Sequence, residues 1–317
     1  MSAGRILVIG ANGQVGTELS EALIARHGAD AVVCADLGPT ACVAGAQYEA
    51  LDVTDAAALG RVVLRRGIKQ VYQLAAALSA TGERQPVRAW SLNMTGLLNV
   101  LELAREGAIE RVFWPSSIAV FGPGTPRDPA PQTGVMDPTT VYGISKLAGE
   151  RWCAWYHERH DVDVRSLRYP GLISWRAPPG GGTTDYAVEI FHAAVAGESY
   201  TSFLAPDQAL PMMYMPDAIR ATLELMEAPG DAITEWGAYN LAGLSFTPAQ
   251  IAAAIAQRVS GFSLSCEPDF RQEIAASWPR SVDDSLARRD WGWQPKFDLT
   301  TMVDDMLANL RANVRVS

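Results

Sequence analysis

The 317-residue chain is short of cysteine, of positive charge and of long apolar runs, and each shortage removes a class of protein. Its four cysteines, Cys34, Cys42, Cys153 and Cys266, lie far apart with no C-x-x-C pair, which argues against a zinc knuckle or a disulfide framework. The 26 Lys and Arg against 35 Asp and Glu leave a formal net charge of -9 and a sequence pI near 5.0. With the cations also scattered, nucleic acid is a poor expectation as partner. No stretch approaches the ~20 apolar residues of a membrane span, and the amino terminus enters a strand pattern without a signal-like region. A reducing cytosol fits, with no membrane partner. His157 and His160 sit at i, i+3 with no third ligand apparent, so no metal is expected. Repeats, low-complexity tracts and charge runs are missing as well. What is present, 48% hydrophobic residues, is ample for the core of one large domain or two smaller ones.

Arg5-Ile6-Leu7-Val8-Ile9 is a short apolar run of the kind that forms a parallel strand buried on both faces. It breaks into Gly10-Ala11-Asn12-Gly13-Gln14-Val15-Gly16, after which residues 17–26 show helical spacing through Leu19, Leu23 and Ile24. Strand, glycine turn and helix together let backbone N–H groups and a helix N-terminus hold a pyrophosphate, although a purely structural turn has the same spacing. A second strand pattern, residues 31–35, ends at Asp36, where a carboxylate can accept from a ribose 2′-hydroxyl and repels a 2′-phosphate. NAD is therefore expected rather than NADP, unless Asp36 is simply a surface residue at a strand end.

Further on, Leu51-Asp52-Val53 follows another strand pattern, and Asp52 can accept from an adenine amino group. Thr54 or Asp55 can cap a helix carrying Leu59, Val62 and Val63 on one face. Residues 70–77 read as a buried strand whose small Ala75, Ala76 and Ala77 permit close approach of a cofactor, and Ser79 follows within reach of the same cleft. In the helical pattern of residues 90–104, Asn93 either bonds backbone near the active site or is an ordinary surface amide. The alternation of strands and helices through residue 170 predicts an α/β fold, a doubly wound parallel sheet with ligands at the carboxyl ends of its strands.

That rule places two features at the chemistry. Arg111-Val112-Phe113 reads as a buried strand ending in Trp114-Pro115-Ser116-Ser117, which leaves hydroxyls at its carboxyl end. Tyr142 and Lys146 are four residues apart and share a helix face. A phenol ionises near ~10, and a neighbouring ammonium favours the phenolate, so a Ser, Tyr and Lys can combine into a base. Tyr-x-x-x-Lys also arises by chance.

After Pro170 the alternation ends. Residues 171–185 contain Pro178, Pro179 and three consecutive glycines, and read as a mobile loop entering a helix near Tyr186. Its backbone N–H groups, with Thr183 and Thr184, can surround a carboxylate, or a threonine can cap the helix. Thr247-Pro248-Ala249-Gln250 has the form of a capping box with proline at the first helical position. Residues 1–170 are expected to form the cofactor-binding domain. Residues 171–317 are expected to be mainly a smaller α/β substrate domain, with segments around 212–240 returning to the first sheet.

Together Gly10-x-x-Gly13-x-x-Gly16, Asp36, Asn93, Ser117 and Tyr142-x-x-x-Lys146 resemble the extended short-chain dehydrogenase/reductase superfamily. Pro115 to Gly122, Arg168-Tyr169-Pro170-Gly171, residues 179–186, Leu210-Pro211-Met212-Met213-Tyr214-Met215 and Pro268-Asp269-Phe270-Arg271-Gln272 are similar to the short-chain type of L-threonine 3-dehydrogenases. Ser117 stands where related enzymes often carry threonine, and either supplies a hydroxyl. The resemblance implies a Rossmann fold, NAD as cofactor, L-threonine as small-molecule substrate in threonine catabolism, and a homodimer paired through the helices near residues 90–104 and 142–157. It implies Tyr142, Lys146 and Ser117 as catalytic residues. Cofactor contacts are expected from Gly10, Asn12, Gly13, Gln14, Val15, Gly16, Asp36, Leu51, Asp52, Val53, Leu74, Ala75, Ala76, Asn93, Lys146, Tyr169 and Pro170. Substrate contacts are expected from Ser79, Ser116, Ser117, Tyr142, Gly181, Thr183, Thr184 and Trp278, the last being alternatively a core residue. The rival readings are a nucleotide-sugar epimerase or dehydratase on the same scaffold and a non-catalytic NAD-binding regulator.

Overall fold

The computed structural model describes every residue except 1–3, 78, 178–179, 181 and 315–317, with Ser79, Ala80, Thr81 and Val314 described by backbone alone. From the amino terminus come β1 (Arg5–Ile9), α1 (Gln14–His27), β2 (Val32–Asp36), β3 (Gln47–Ala50), α2 (Ala56–Arg66), β4 (Ile68–Gln73), α3 (Ser79–Arg84) and α4 (Pro86–Arg105). There follow β5 (Arg111–Phe113), β6 (Ser116–Ser117), α5 (Val141–His160), β7 (Val164–Arg165) and β8 (Leu167–Tyr169). Six of these strands form a parallel sheet of order β3-β2-β1-β4-β5-β7. In β1 the residues Ile6 to Ile9 are all buried, as expected of a central strand covered on both faces. Leu7 sits between Val33 and Val71 in register. Leu59, Val63, Leu97, Leu101 and Cys153 from three helices pack into the same core. Asp55 caps α2 by accepting from the Ala58 amide at 2.9 Å.

The later elements are β9 (Gly171–Ile173), α6 (Tyr186–Ala196), β10 (Tyr200–Ser202), β11 (Leu210–Tyr214), α7 (Met215–Glu227), β12 (Tyr239–Asn240) and β13 (Leu244–Phe246). After them come α8 (Pro248–Ala256), β14 (Leu264–Cys266), α9 (Phe270–Ser277), α10 (Ser285–Trp291) and α11 (Leu299–Val314). β11, buried throughout, runs parallel to β9 and antiparallel to β13. β10 and β14 form a parallel pair, and β6, β8 and β12 a small sheet of order β12-β8-β6. The capping box at Thr247 and Gln250 is present, and it starts α8.

The chain divides into two compact units, one of Met1–Ser117, Thr139–Arg168 and Thr222–Tyr239, the other of Ile118–Pro138, Tyr169–Ala221 and Asn240–Ser317. Ile118–Pro138 joins the second unit because Ala130 exchanges backbone bonds with Ser281 and Asp283, at 2.9 and 2.8 Å, and its carbonyl accepts from Asn240. Thr222–Tyr239 joins the first because the buried Arg165 guanidinium donates to the Leu225 and Ala228 carbonyls at 2.6 and 2.7 Å.

Candidate active site

In the first unit the turn from β1 to α1 lies at the edge of a cavity of about 210 Å³. The main chain reaches that position only with glycine. Gly10 has φ +83°, and a Cβ there would lie 2.7 Å from the Ala75 nitrogen; at Gly16 a Cβ would lie 2.1 Å from the Gly10 carbonyl oxygen. α1 opens at Gly13 without any side-chain cap and has no acidic residue in its first turn, so its amides and dipole are available to an anion. Gly10, Gly13, Asp36, Leu51, Asp52, Val53, Leu74, Ala75 and Ala76 line the cavity, joined by Ile9, Leu37 and Leu92. Gln14 and Val15 begin the helix. Asp36 is held at the rim by the Asn12 and Leu37 amides, at 3.0 and 2.7 Å. The Asn12 side chain accepts from the Cys42 amide and donates to the Thr40 carbonyl, which fixes the loop beyond β2. These features fit a dinucleotide: a glycine cradle, an uncapped helix start and a carboxylate where a ribose would lie.

α5 carries the second group of residues. Thr140 caps it through the Gly143 amide at 3.0 Å, and Glu83 accepts from the Val141 amide at 2.7 Å. Tyr142, half-buried, is hydrogen-bonded to the Ser117 side chain. Lys146 is 2% exposed; its ammonium donates to the Pro115 carbonyl at 2.5 Å and lies 4.3 Å from the centre of the Trp114 ring. Burial pushes the Tyr142 phenol up to about 12, with the Ser117 hydrogen bond opposing it. Burial also pulls Lys146 down to about 7, against the effects of Cys153 and Glu150. Burial thus works against the charged form of both groups. Asn93 bonds backbone, accepting from the Ala77 amide at 2.8 Å and donating to Ser145, whose hydroxyl donates to the Tyr142 carbonyl at 2.7 Å.

Ser116 is buried and donates to Glu150 at 2.5 Å, and Glu150 is paired with Arg168. Neither Glu150 nor Arg168 was marked as a site residue from the sequence, although Glu150 repeats the four-residue step of Tyr142 and Lys146. Tyr169, Pro170, Thr183, Thr184 and Trp278 belong to the second unit. There Thr183 and Trp278 are buried, 6% and 7% exposed. No threonine caps α6; the Gly182 amide donates instead to the Asp185 carboxylate at 2.8 Å. Gly181 and the side chain of Ser79 lie outside the described residues. His157 stacks on Trp236 at 3.6 Å, and among the described residues no His, Cys, Asp and Glu group is placed to hold a metal. No described helix is long and apolar enough to cross a membrane.

Residues 6–242 match the model of the NAD dependent epimerase/dehydratase family. Among curated proteins, the chain is 46% identical to an uncharacterized epimerase/dehydratase of Staphylococcus haemolyticus, over 96% of each. Among solved structures it is similar to a GalE-like L-threonine dehydrogenase from Cupriavidus necator in its holo form. That likeness has 65% identity, a TM-score of 0.95 and coverage of 96% of this chain and 99% of the other. It is also similar to a monomeric L-threonine 3-dehydrogenase from a metagenome, at 46% identity and a TM-score of 0.93, over 97% and 99% of the two chains.

Proposed function

Because the chain belongs to the NAD dependent epimerase/dehydratase family and takes NAD as its cofactor, we propose that it oxidises L-threonine at C3, giving L-2-amino-3-oxobutanoate and NADH. The observation that carries this reading is the 65% identity to a threonine dehydrogenase across 96% of this chain and 99% of that one. The glycine turn, Asp36 and Lys146 hold the dinucleotide, which when bound supplies the hydride acceptor and a positive ring. Tyr142 Oη takes the proton of the C3 hydroxyl, and Ser117 Oγ holds the substrate oxygen. The proton must leave a phenol that ordinarily ionises at about 12 in this site. The ammonium of Lys146 would favour the phenolate, and a bound nicotinamide would supply further positive charge. Thr183, Thr184 and Trp278 bind or cover the amino acid. Purified protein with NAD+ and L-threonine should accumulate NADH, and Tyr142→Phe should abolish this with NAD binding nearly intact.

A sugar-nucleotide substrate would carry a second diphosphate, and residues 171–210 offer mainly Arg176 as a cation. A thermal-shift comparison of UDP-glucose with L-threonine, both in saturating NAD+, separates the two readings. A homodimer is proposed on the exposed apolar residues of α4 and α5: Trp90, Ile144, Trp152 and Trp155 are 43%, 48%, 38% and 42% exposed.

A further inference from the structure

Among the buried charges that the chemistry proposed above does not use, Glu150 lies nearest in sequence to Lys146. Glu150, 2% exposed, lies on α5 one turn beyond Lys146 and two beyond Tyr142. Both its oxygens are occupied: Oε1 accepts from Ser116 Oγ at 2.5 Å and from Arg168 Nε at 2.9 Å, and Oε2 accepts from Arg168 Nη2 at 2.8 Å. Ser116 lies in β6 and Arg168 in β8, neighbouring strands of one small sheet. One carboxylate therefore ties the helix that carries the phenol to two strands at once. The residue after Ser116 is Ser117, whose side chain bonds Tyr142.

From this juxtaposition we infer that Ser116 and Glu150 are positioning residues, which fix β6 on α5 so that Ser117 Oγ meets Tyr142 Oη. The inference rests on the proposed roles of Ser117 and Tyr142. Its one hydroxyl proton goes to Glu150, so Ser116 has no donor left to offer a substrate. Arg168 has its own part. By pairing with Glu150 it keeps the carboxylate engaged one turn from Lys146, whose ammonium goes to the Pro115 carbonyl. Displacement of a reacting group by a fraction of an ångström weakens turnover more than binding.

The test uses the full chain with Ser116→Ala, Glu150→Gln and both together, each measured for kcat and KM for L-threonine at saturating NAD+, for NAD+ affinity and for melting temperature. Ser116→Ala should lower kcat about tenfold, with KM within about twofold and NAD+ affinity unchanged. The double variant should be no slower than Glu150→Gln alone, since residues acting through one contact are not additive. A raised KM at unchanged kcat would make Ser116 a substrate ligand and overturn the inference, as would independent, multiplying effects or a wild-type kcat in Ser116→Ala. If Glu150→Gln does not fold, the kcat and KM split of Ser116→Ala decides. A crystal structure of Ser116→Ala gives a readout free of substrate: the hydrogen bond from Ser117 to Tyr142 should be lost, and its persistence contradicts the positioning role. Wild-type protein inert toward threonine would defeat the proposed function, and that structure would then decide the inference by itself.

Discussion

Replacing Lys146 with methionine should remove activity and yet stabilise the folded protein below neutral pH. The ammonium is 2% exposed, and burial draws its pKa from 10.5 to about 7, which corresponds to roughly 5 kcal/mol of penalty for keeping the proton in the folded state. Methionine has similar length and no charge, but it leaves the Pro115 carbonyl without its donor, a loss of about 1–3 kcal/mol. The net gain is then about 2–4 kcal/mol where the penalty is fully expressed. Below pH 7 both the folded and the unfolded chain carry the proton, so the whole penalty stands. Between 7 and 10.5 the folded chain gives up the proton first, the unfolded chain binds more, and wild-type stability rises with pH. Above that range the lysine is neutral in both states and the penalty is gone. Melting temperatures of the cofactor-free proteins should therefore differ by about 4 °C or more near pH 6 in favour of the variant, and by zero or less near pH 10. A variant destabilised equally at both pH values would refute the claim that this ammonium is held at a cost. Turnover should fall by about two orders of magnitude or more.

Three further expectations follow from the cofactor cleft and the helix surface. Asp36→Ala should lower kcat/KM for NAD+ by about 10-fold or more while leaving NADP+ no worse, since in the proposed site the carboxylate held by the Asn12 and Leu37 amides would accept from a ribose 2′-hydroxyl and repel a 2′-phosphate; an unchanged preference would contradict it. Gly16→Ala should weaken NAD+ binding at least about tenfold and cost about 1–3 kcal/mol in unfolding by denaturant, because the new Cβ meets the Gly10 carbonyl at 2.1 Å. Light scattering should give a dimer mass that Trp155→Glu converts to monomer; a wild-type monomer, the state named for one similar enzyme, would remove the pairing through α4 and α5.

The parts of the fold readable in the sequence are those set by neighbours along the chain. Ile6 to Ile9 carry no alternation because both faces of β1 are covered, and the glycines that follow are forced by close backbone approach at Gly10 and Gly16. Asp55 and Thr247 announce their helices through local caps. Tyr142 and Lys146 share a helix face at the spacing that suggested them. The joining of Ile118–Pro138 to the second unit has no local signature, because Ala130 is held by Ser281 and Asp283, far along the chain. The direction of the Tyr142 and Lys146 shifts was hidden for a related reason. Burial is the largest cause of both shifts, and the motif does not display it. Glu150 was visible as a third member of the four-residue series, but its partners Ser116 and Arg168 are 34 and 18 residues away.

The central claim is tested most directly by adding L-threonine to the purified protein in saturating NAD+ and following reduced cofactor, with Tyr142→Phe and UDP-glucose as parallel arms. The account predicts NADH from threonine with the wild type, none above background with Tyr142→Phe, and no epimerised sugar nucleotide. Interconversion of the sugar nucleotide without NADH from threonine, or full turnover by the phenylalanine variant, would contradict it.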